Sequence, residues 1–102
     1  MVHNKLVRDK IPAIIAAQGK NAKIRTLDPD EYTRCLEGKL DEEAGEYHRD
    51  KTPEELADIL EVVFALAENQ GCSIDELMAI YCSKHEKRGG FRERVFLISV
   101  ED

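Results

Sequence analysis

The sequence predicts a mainly α-helical domain, a bundle of four to five helices with a small antiparallel β ribbon. Helix start signals occur at three places, glycine follows most of the predicted helices, and the last residues change to the pattern of a strand. With 102 residues, of which 42% are hydrophobic and 35% charged, the chain is long enough for a modest core. We therefore expect one domain over residues 1–102.

The first two predicted helices have clear boundaries. One spans residues 9–18, where isoleucines recur at helical spacing and Gly19 follows as a C-terminal signal. The next spans residues 29–48. Asp28 is its N-cap residue, with proline at the first helical position and an acid at the third.

The last two helices begin with the same kind of signal. Thr52 precedes a predicted helix over residues 53–70, and Ser73 precedes one over residues 74–88. Both helices have an acid at the third position and glycine after their last residue. The earlier of these two is apolar around most of its circumference, so it needs covering on more than one side. A second copy of the chain would provide this cover, and we expect at least a homodimer.

The end of the chain has the period of a strand. Residues 94–100 combine aromatic and β-branched residues, and residues 23–27 are the expected partner strand. Because an isolated two-stranded ribbon is marginally stable, it should pack on the helices or on another subunit.

Composition narrows the class of partner and the location. A net charge of −6 argues against a protein that binds duplex nucleic acid, which would present a basic face. Three cysteines without framework spacing are typical of free thiols in a reducing compartment. The apolar runs are short and interrupted by charge, so neither a signal peptide nor a membrane span is expected. We expect a cytoplasmic protein.

Two pairs of acids are the strongest functional signal. Glu43 lies near the centre of an apolar stripe of the second helix, and Glu46 lies on its flank. Glu55 and Asp58 lie between apolar residues on the third helix in projection. Because an unpaired buried carboxylate is costly, two helices that each direct two acids inward indicate a metal site.

The alternative is that these acids reach water from the flanks of their helices. The chain has 21 acids, so pairs at this spacing also arise by chance. The face that they occupy favours the metal interpretation. Glu54, Glu61 and Glu68 repeat every seven residues and form a separate solvated strip, whereas the two pairs lie among apolar side chains.

Four carboxylates without clustered histidine or thiolate ligands favour Mg²⁺, or Mn²⁺, over Zn²⁺. These ions commonly bind substrate phosphates as well, so the four acids suggest phosphate-ester chemistry. Lys84 and Arg88, one turn apart near a helix end, are candidate phosphate contacts. The sequence is equally consistent with Lys84 and Arg88 being ordinary surface charges. For Lys5, Arg8 and Lys10 near the N-terminus, the surface interpretation is favoured more strongly.

These residues resemble a known family. The EExxE pattern of residues 42–46, followed by ExxD at residues 55–58, resembles the signature of the all-α nucleotide pyrophosphohydrolase superfamily. That superfamily includes MazG-like enzymes, dimeric dUTPases and phosphoribosyl-ATP pyrophosphohydrolase. KLVRDKIP at residues 5–12 and KRGGF at residues 87–91 are similar to segments of a compact MazG-like subgroup described as predicted house-cleaning pyrophosphatases.

The resemblance implies a MazG-like helical bundle, a dimer or tetramer, that hydrolyses nucleoside triphosphates to the monophosphate and pyrophosphate. It also implies that Glu42 orients water or supports the metal ligands from outside, and that Lys84 and Arg88 approach the phosphates. The implied Mg²⁺ ligands are Glu43, Glu46, Glu55 and Asp58. The connection between the two acid pairs is shorter than in many members, so a tight turn is expected.

Three alternatives remain open from sequence. Phosphoribosyl-ATP is the second candidate substrate, although the segments at residues 5–12 and 87–91 argue against it. The same scaffold also suits a non-catalytic helical oligomer that binds nucleotides or a partner. A hydrolase of nucleic acid is disfavoured by the net negative charge. The preferred nucleotide and the choice between dimer and tetramer are not readable from the sequence.

Overall fold

A computed structural model describes residues 3–102, and in this part of the chain it contains four α-helices. They are α1 (Ile11–Ala17), α2 (Pro29–Asp50), α3 (Pro53–Asn69) and α4 (Ile74–Arg88). The mainly helical class is confirmed. Each boundary lies within about two residues of its predicted position, which is the usual uncertainty of helix ends.

Two of the predicted helix starts form complete capping boxes. At the start of α2, the Glu31 backbone N–H donates to Asp28 Oδ1 at 2.9 Å, and the Glu31 carboxylate accepts from the Asp28 backbone N–H at 3.4 Å. At the start of α4, the Glu76 backbone N–H donates to Ser73 Oγ at 3.1 Å. These contacts satisfy backbone donors that a helix N-terminus otherwise leaves without partners.

The third predicted start differs from the other two. Thr52 occupies the N-cap position of α3, but its side chain makes no capping hydrogen bond, and proline at the first helical position fixes the start instead. The Glu55 side chain, which would complete a capping box, is directed towards acids on α2. The Glu55 side chain therefore belongs to the acid cluster and does not cap α3.

α2 and α3 form a tight antiparallel hairpin. Only Lys51 and Thr52 connect them, and Lys51 adopts the left-handed conformation with φ 53° that ends α2. Leu36 of α2 and Ala67 of α3 are the buried apolar residues among those described. At the open end of the hairpin, Asn69 Nδ2 donates to Thr33 Oγ1 at 2.9 Å. This hairpin is the best packed part of the molecule, and α4 adds a smaller contact against α3.

The predicted β ribbon is not formed in the single chain. Residues 3–102 contain no strand, and residues 23–27 and 94–100 are almost entirely exposed and without backbone hydrogen bonds to each other. An alternating sequence pattern favours a strand, but it does not provide a surface on which the strand can pack. Two strands without such a surface do not offset their ordering entropy.

The chain is elongated and buries little of its surface. Its radius of gyration is 18.2 Å, compared with about 13 Å for a compact domain of this length. Its accessible area is 9365 Å², whereas a compact monomer of 11.6 kDa exposes about 5,800 Å². No side chain among the described residues is fully buried. A single copy therefore leaves much apolar surface in water.

No helix within residues 3–102 combines the length and the apolar character needed to cross a membrane.

The capped start of α4 and the uncapped start of α3 should differ in how much their N-cap side chains contribute to stability. Ser73→Ala removes a capping acceptor and should lower the free energy of unfolding by about 1 kcal/mol. Thr52→Ala removes a hydroxyl that caps nothing and should change it by less than about 0.5 kcal/mol. Urea denaturation followed by circular dichroism measures both values. Equal losses for the two variants would contradict the assignment of the caps.

Candidate metal centre

The α2–α3 hairpin brings the two predicted acid pairs to one place. Glu46 and Glu55 lie on facing turns nearest the connection, and Glu43 and Asp58 lie one turn further from it. Each side chain contributes an oxygen, and the four oxygens lie within 4.8 Å of one another. The convergence expected from sequence is therefore present, and the two-residue turn produces it by fixing the register of the hairpin.

Two of these acids each have one enclosed oxygen without a hydrogen-bond partner among the described residues. Glu43 is only 9% exposed, and its Oε2 atom has no hydrogen-bond partner among the described residues. Glu55 Oε2 is likewise enclosed and without a partner. A buried carboxylate oxygen without a donor carries a large desolvation cost, which a cation at the same place would offset. These two oxygens mark the cluster as more than a group of surface acids.

The electrostatics of the cluster oppose its own ionisation. Burial raises the pKa of the Glu43 carboxyl, and the side chain of Glu46 raises it further, while Lys39 acts in the opposite direction. Burial is also the first cause that raises the pKa of Glu55, followed by the charges of neighbouring acids, Glu46, Asp50 and Asp58. A nearby positive charge would favour the ionised form of both side chains.

The chain provides one cation from within α2. Lys39 Nζ lies 3.6 Å from Glu43 Oε1 and 3.3 Å from Glu42 Oε2. Its side chain is only 18% exposed, so this amine is held against the helix rather than extended into water. Lys39 therefore partly neutralises Glu43, and it ties Glu42 to a position outside the group of four acids.

A second cation reaches the cluster from the N-terminal segment. Arg8 Nη2 donates to Asp58 Oδ1 at 2.6 Å, although the two residues are 50 positions apart in the chain. This contact places the KLVRDKIP segment against the acid cluster. The structure thus connects two sequence motifs that the sequence shows only as separate features.

The cations at the end of α4 are not at the cluster in this single chain. Lys84 and Arg88 are exposed, and neither forms an ion pair within residues 3–102. Their role as phosphate contacts stays a prediction.

The donor set fits a hard divalent cation. All four groups are carboxylates, and neither a histidine nor a cysteine belongs to the cluster, which favours Mg²⁺ or Mn²⁺ over Zn²⁺. One oxygen from each of the four side chains lies within 4.8 Å of the others, close enough for the four to share a single hard cation. Such an ion could be coordinated by the two enclosed oxygens, Glu43 Oε2 and Glu55 Oε2, which have no hydrogen-bond partner.

Sequence reasoning missed Lys39, and it named Arg8 as a candidate cation but favoured a surface role for it. Lys39 stands four residues before Glu43, a spacing that places both side chains on one helix face, so this pair was detectable. No spacing along the sequence relates Arg8 to Asp58. Its contact with Asp58 depends on how the N-terminal segment folds back onto α3, which no local pattern encodes.

Replacing the most buried acid should stabilise the folded chain when no divalent cation is bound. Because the pKa of Glu43 is raised in the folded state, its ionised form destabilises the fold at neutral pH. Glu43→Gln should therefore raise the free energy of unfolding in a chelator by on the order of 1 kcal/mol. Glu61→Gln, at an exposed position on α3, is the control and should change it by less than about 0.5 kcal/mol. A marked destabilisation by Glu43→Gln would contradict this account.

Comparison with known proteins gives a relationship over part of the chain. A curated protein of Mycolicibacterium smegmatis, described as uncharacterized, is 55% identical over 42 residues. The match covers 41% of this chain and 43% of that protein, so the chain spans less than half of this relative. No family model matches the sequence, and no solved structure matches it.

Proposed function

We propose that the protein is a Mg²⁺-dependent nucleoside triphosphate pyrophosphohydrolase of MazG-like type, which releases pyrophosphate and the nucleoside monophosphate. The observation that carries the proposal is the group of four converging carboxylates, two of which have buried oxygens without partners. The motif resemblance supplies the reaction. We also propose a cytoplasmic location, which the three free cysteines support.

Each residue has a distinct part in the proposed reaction. Glu43, Glu46, Glu55 and Asp58 would hold Mg²⁺, which supplies neutralisation of phosphate charge. Water attacks the α-phosphorus, and the bond between the α-phosphorus and the bridging oxygen breaks, so that pyrophosphate leaves. Glu42 stands beside the four acids and is assigned to orient the water. Lys84 and Arg88 are assigned to the phosphates, as the resemblance implies.

One observation favours a second candidate, a non-catalytic oligomer that binds nucleotides or a partner. Lys39 and Arg8 already provide two positive charges at the cluster, which lessens its need for a metal ion. On this account the acids would be part of a structural ion-pair network. Hydrolysis of nucleotides separates the two candidates directly.

We also propose that the functional unit is a homodimer. Leu56 and Leu60 on α3 are each half exposed. α4 adds four more large exposed side chains, Ile74, Met78, Ile80 and Tyr81. Together with the large accessible area, this surface supports a second copy as its cover. The ribbon of residues 23–27 and 94–100 stays a prediction for the assembled protein, where a neighbouring subunit would provide a surface for it.

The chemistry is tested by pyrophosphate release from standard, deaminated and oxidised nucleoside triphosphates and from phosphoribosyl-ATP. We expect Mg²⁺-dependent release that Glu43→Gln reduces by at least about 100-fold, because a metal ligand is lost. Glu61→Gln, the exposed control on α3, should retain near-normal activity. Release from phosphoribosyl-ATP alone would select the other substrate. If no compound in the panel releases pyrophosphate, the non-catalytic candidate is favoured.

The assembly is tested by light scattering coupled to gel filtration. We expect wild type to elute with twice the mass of the 11.6 kDa chain. Leu60→Glu places a charge on the exposed apolar face of α3 and should weaken self-association by on the order of 100-fold. Glu61→Gln should leave the mass unchanged. A monomeric wild-type protein at micromolar concentration would contradict the proposal.

A further inference from the structure

We infer that Arg8 is a phosphate-binding residue of this site. The inference rests on the proposed function and extends it, because it assigns a contact with the substrate to the N-terminal KLVRDKIP segment. The anion recognised would be a phosphate or pyrophosphate group held at the four acids.

The position of Arg8 is fixed at two points. Its guanidinium donates to Asp58 Oδ1 at 2.6 Å, and its backbone carbonyl accepts from the Ile11 N–H at 3.0 Å in the turn that starts α1. The first contact places the guanidinium at the edge of the acid cluster, and the second orders the backbone that carries it. A binding group held in place before the ligand arrives loses less entropy on binding.

The Arg8 side chain also has donors to spare. A guanidinium carries five N–H donors, and Arg8 makes only one side-chain hydrogen bond within the described residues. The Arg8 side chain is 57% exposed and that of Asp58 is 40% exposed, so this side of the cluster is open to solvent. A ligand therefore has access to the free edge of the guanidinium beside Asp58. The planar fork suits bidentate contact with phosphate oxygens.

Charge gives the reason for a cation at this edge. The four carboxylates repel a polyphosphate, and Lys39, the other cation of the cluster, is mostly enclosed against Glu42 and Glu43. Within residues 3–102, Arg8 is the cation that forms an ion pair with one of the four acids and remains accessible. The ion pair with Asp58 by itself would add little to the stability of the fold, because exposed ion pairs contribute about 0–1 kcal/mol.

The test is calorimetric binding of two probes to the full chain, Mg²⁺ alone and inorganic pyrophosphate in the presence of Mg²⁺. The variants are Arg8→Gln, Arg8→Lys and a matched control, Arg34→Gln. Arg34 is exposed on α2, about 13 Å along the axis from Glu43 and on the opposite face. Circular dichroism checks the fold of each variant.

We expect Arg8→Gln to weaken pyrophosphate binding by about 10- to 100-fold, as for the loss of charged hydrogen bonds. Affinity for Mg²⁺ alone should stay the same or increase, because Asp58 loses a competing cation. Arg8→Lys should lose less, since it keeps the charge without the fork. Arg34→Gln should match wild type to within about twofold.

Three results would overturn the inference: pyrophosphate affinity of Arg8→Gln within about twofold of wild type, a parallel loss of Mg²⁺ affinity, or no pyrophosphate binding by wild type. The results that would contradict the proposed function differ from those that would contradict the role of Arg8. Arg8-dependent pyrophosphate binding without hydrolysis of any nucleotide would support the role of Arg8 and contradict the enzyme. Hydrolysis with an unchanged KM in Arg8→Gln would do the reverse.

Discussion

Repulsion among four carboxylates is the constraint around which this chain is arranged. Glu43 and Glu55 are held in partly dehydrated positions where burial and their acidic neighbours oppose ionisation. The folded chain tolerates them because α2 and α3 are fixed by a short turn and because Lys39 and Arg8 offset part of the charge. Such an arrangement lowers stability, and proteins commonly keep strained electrostatics where they bind a ligand of opposite charge.

The register of the hairpin determines which side chains meet. Each residue of an α-helix turns the chain by about 100°, so one residue more or fewer at the connection would move the later acids off the shared face. Lys51 makes the short connection possible by adopting a left-handed conformation that ends α2 directly before Pro53. With the two-residue connection of this chain, the spacing of EExxE and ExxD along the sequence therefore places the four acids on facing turns.

Local patterns predicted the parts of this structure that local forces decide. The helices followed from caps and prolines, and the faces of Glu43 and Asp58 followed from helical periodicity. The predicted ribbon of residues 23–27 and 94–100 is not formed among the described residues, because strand pairing depends on a packing surface that a local pattern does not encode. Thr52 shows a related limit. A capping-box sequence was present, but Glu55 contributes to the cluster instead, and that competition is settled only by tertiary structure.

The shortness of the connection between α2 and α3 also has a kinetic consequence. All four acids lie within one continuous hairpin, so their approach closes only short loops, and contacts of this kind form early and fast in folding. The contact from Arg8 to Asp58 closes a loop of 50 residues and carries a larger entropic cost. We therefore expect the acidic centre to assemble first and to acquire its outer arginine later, as a separable step.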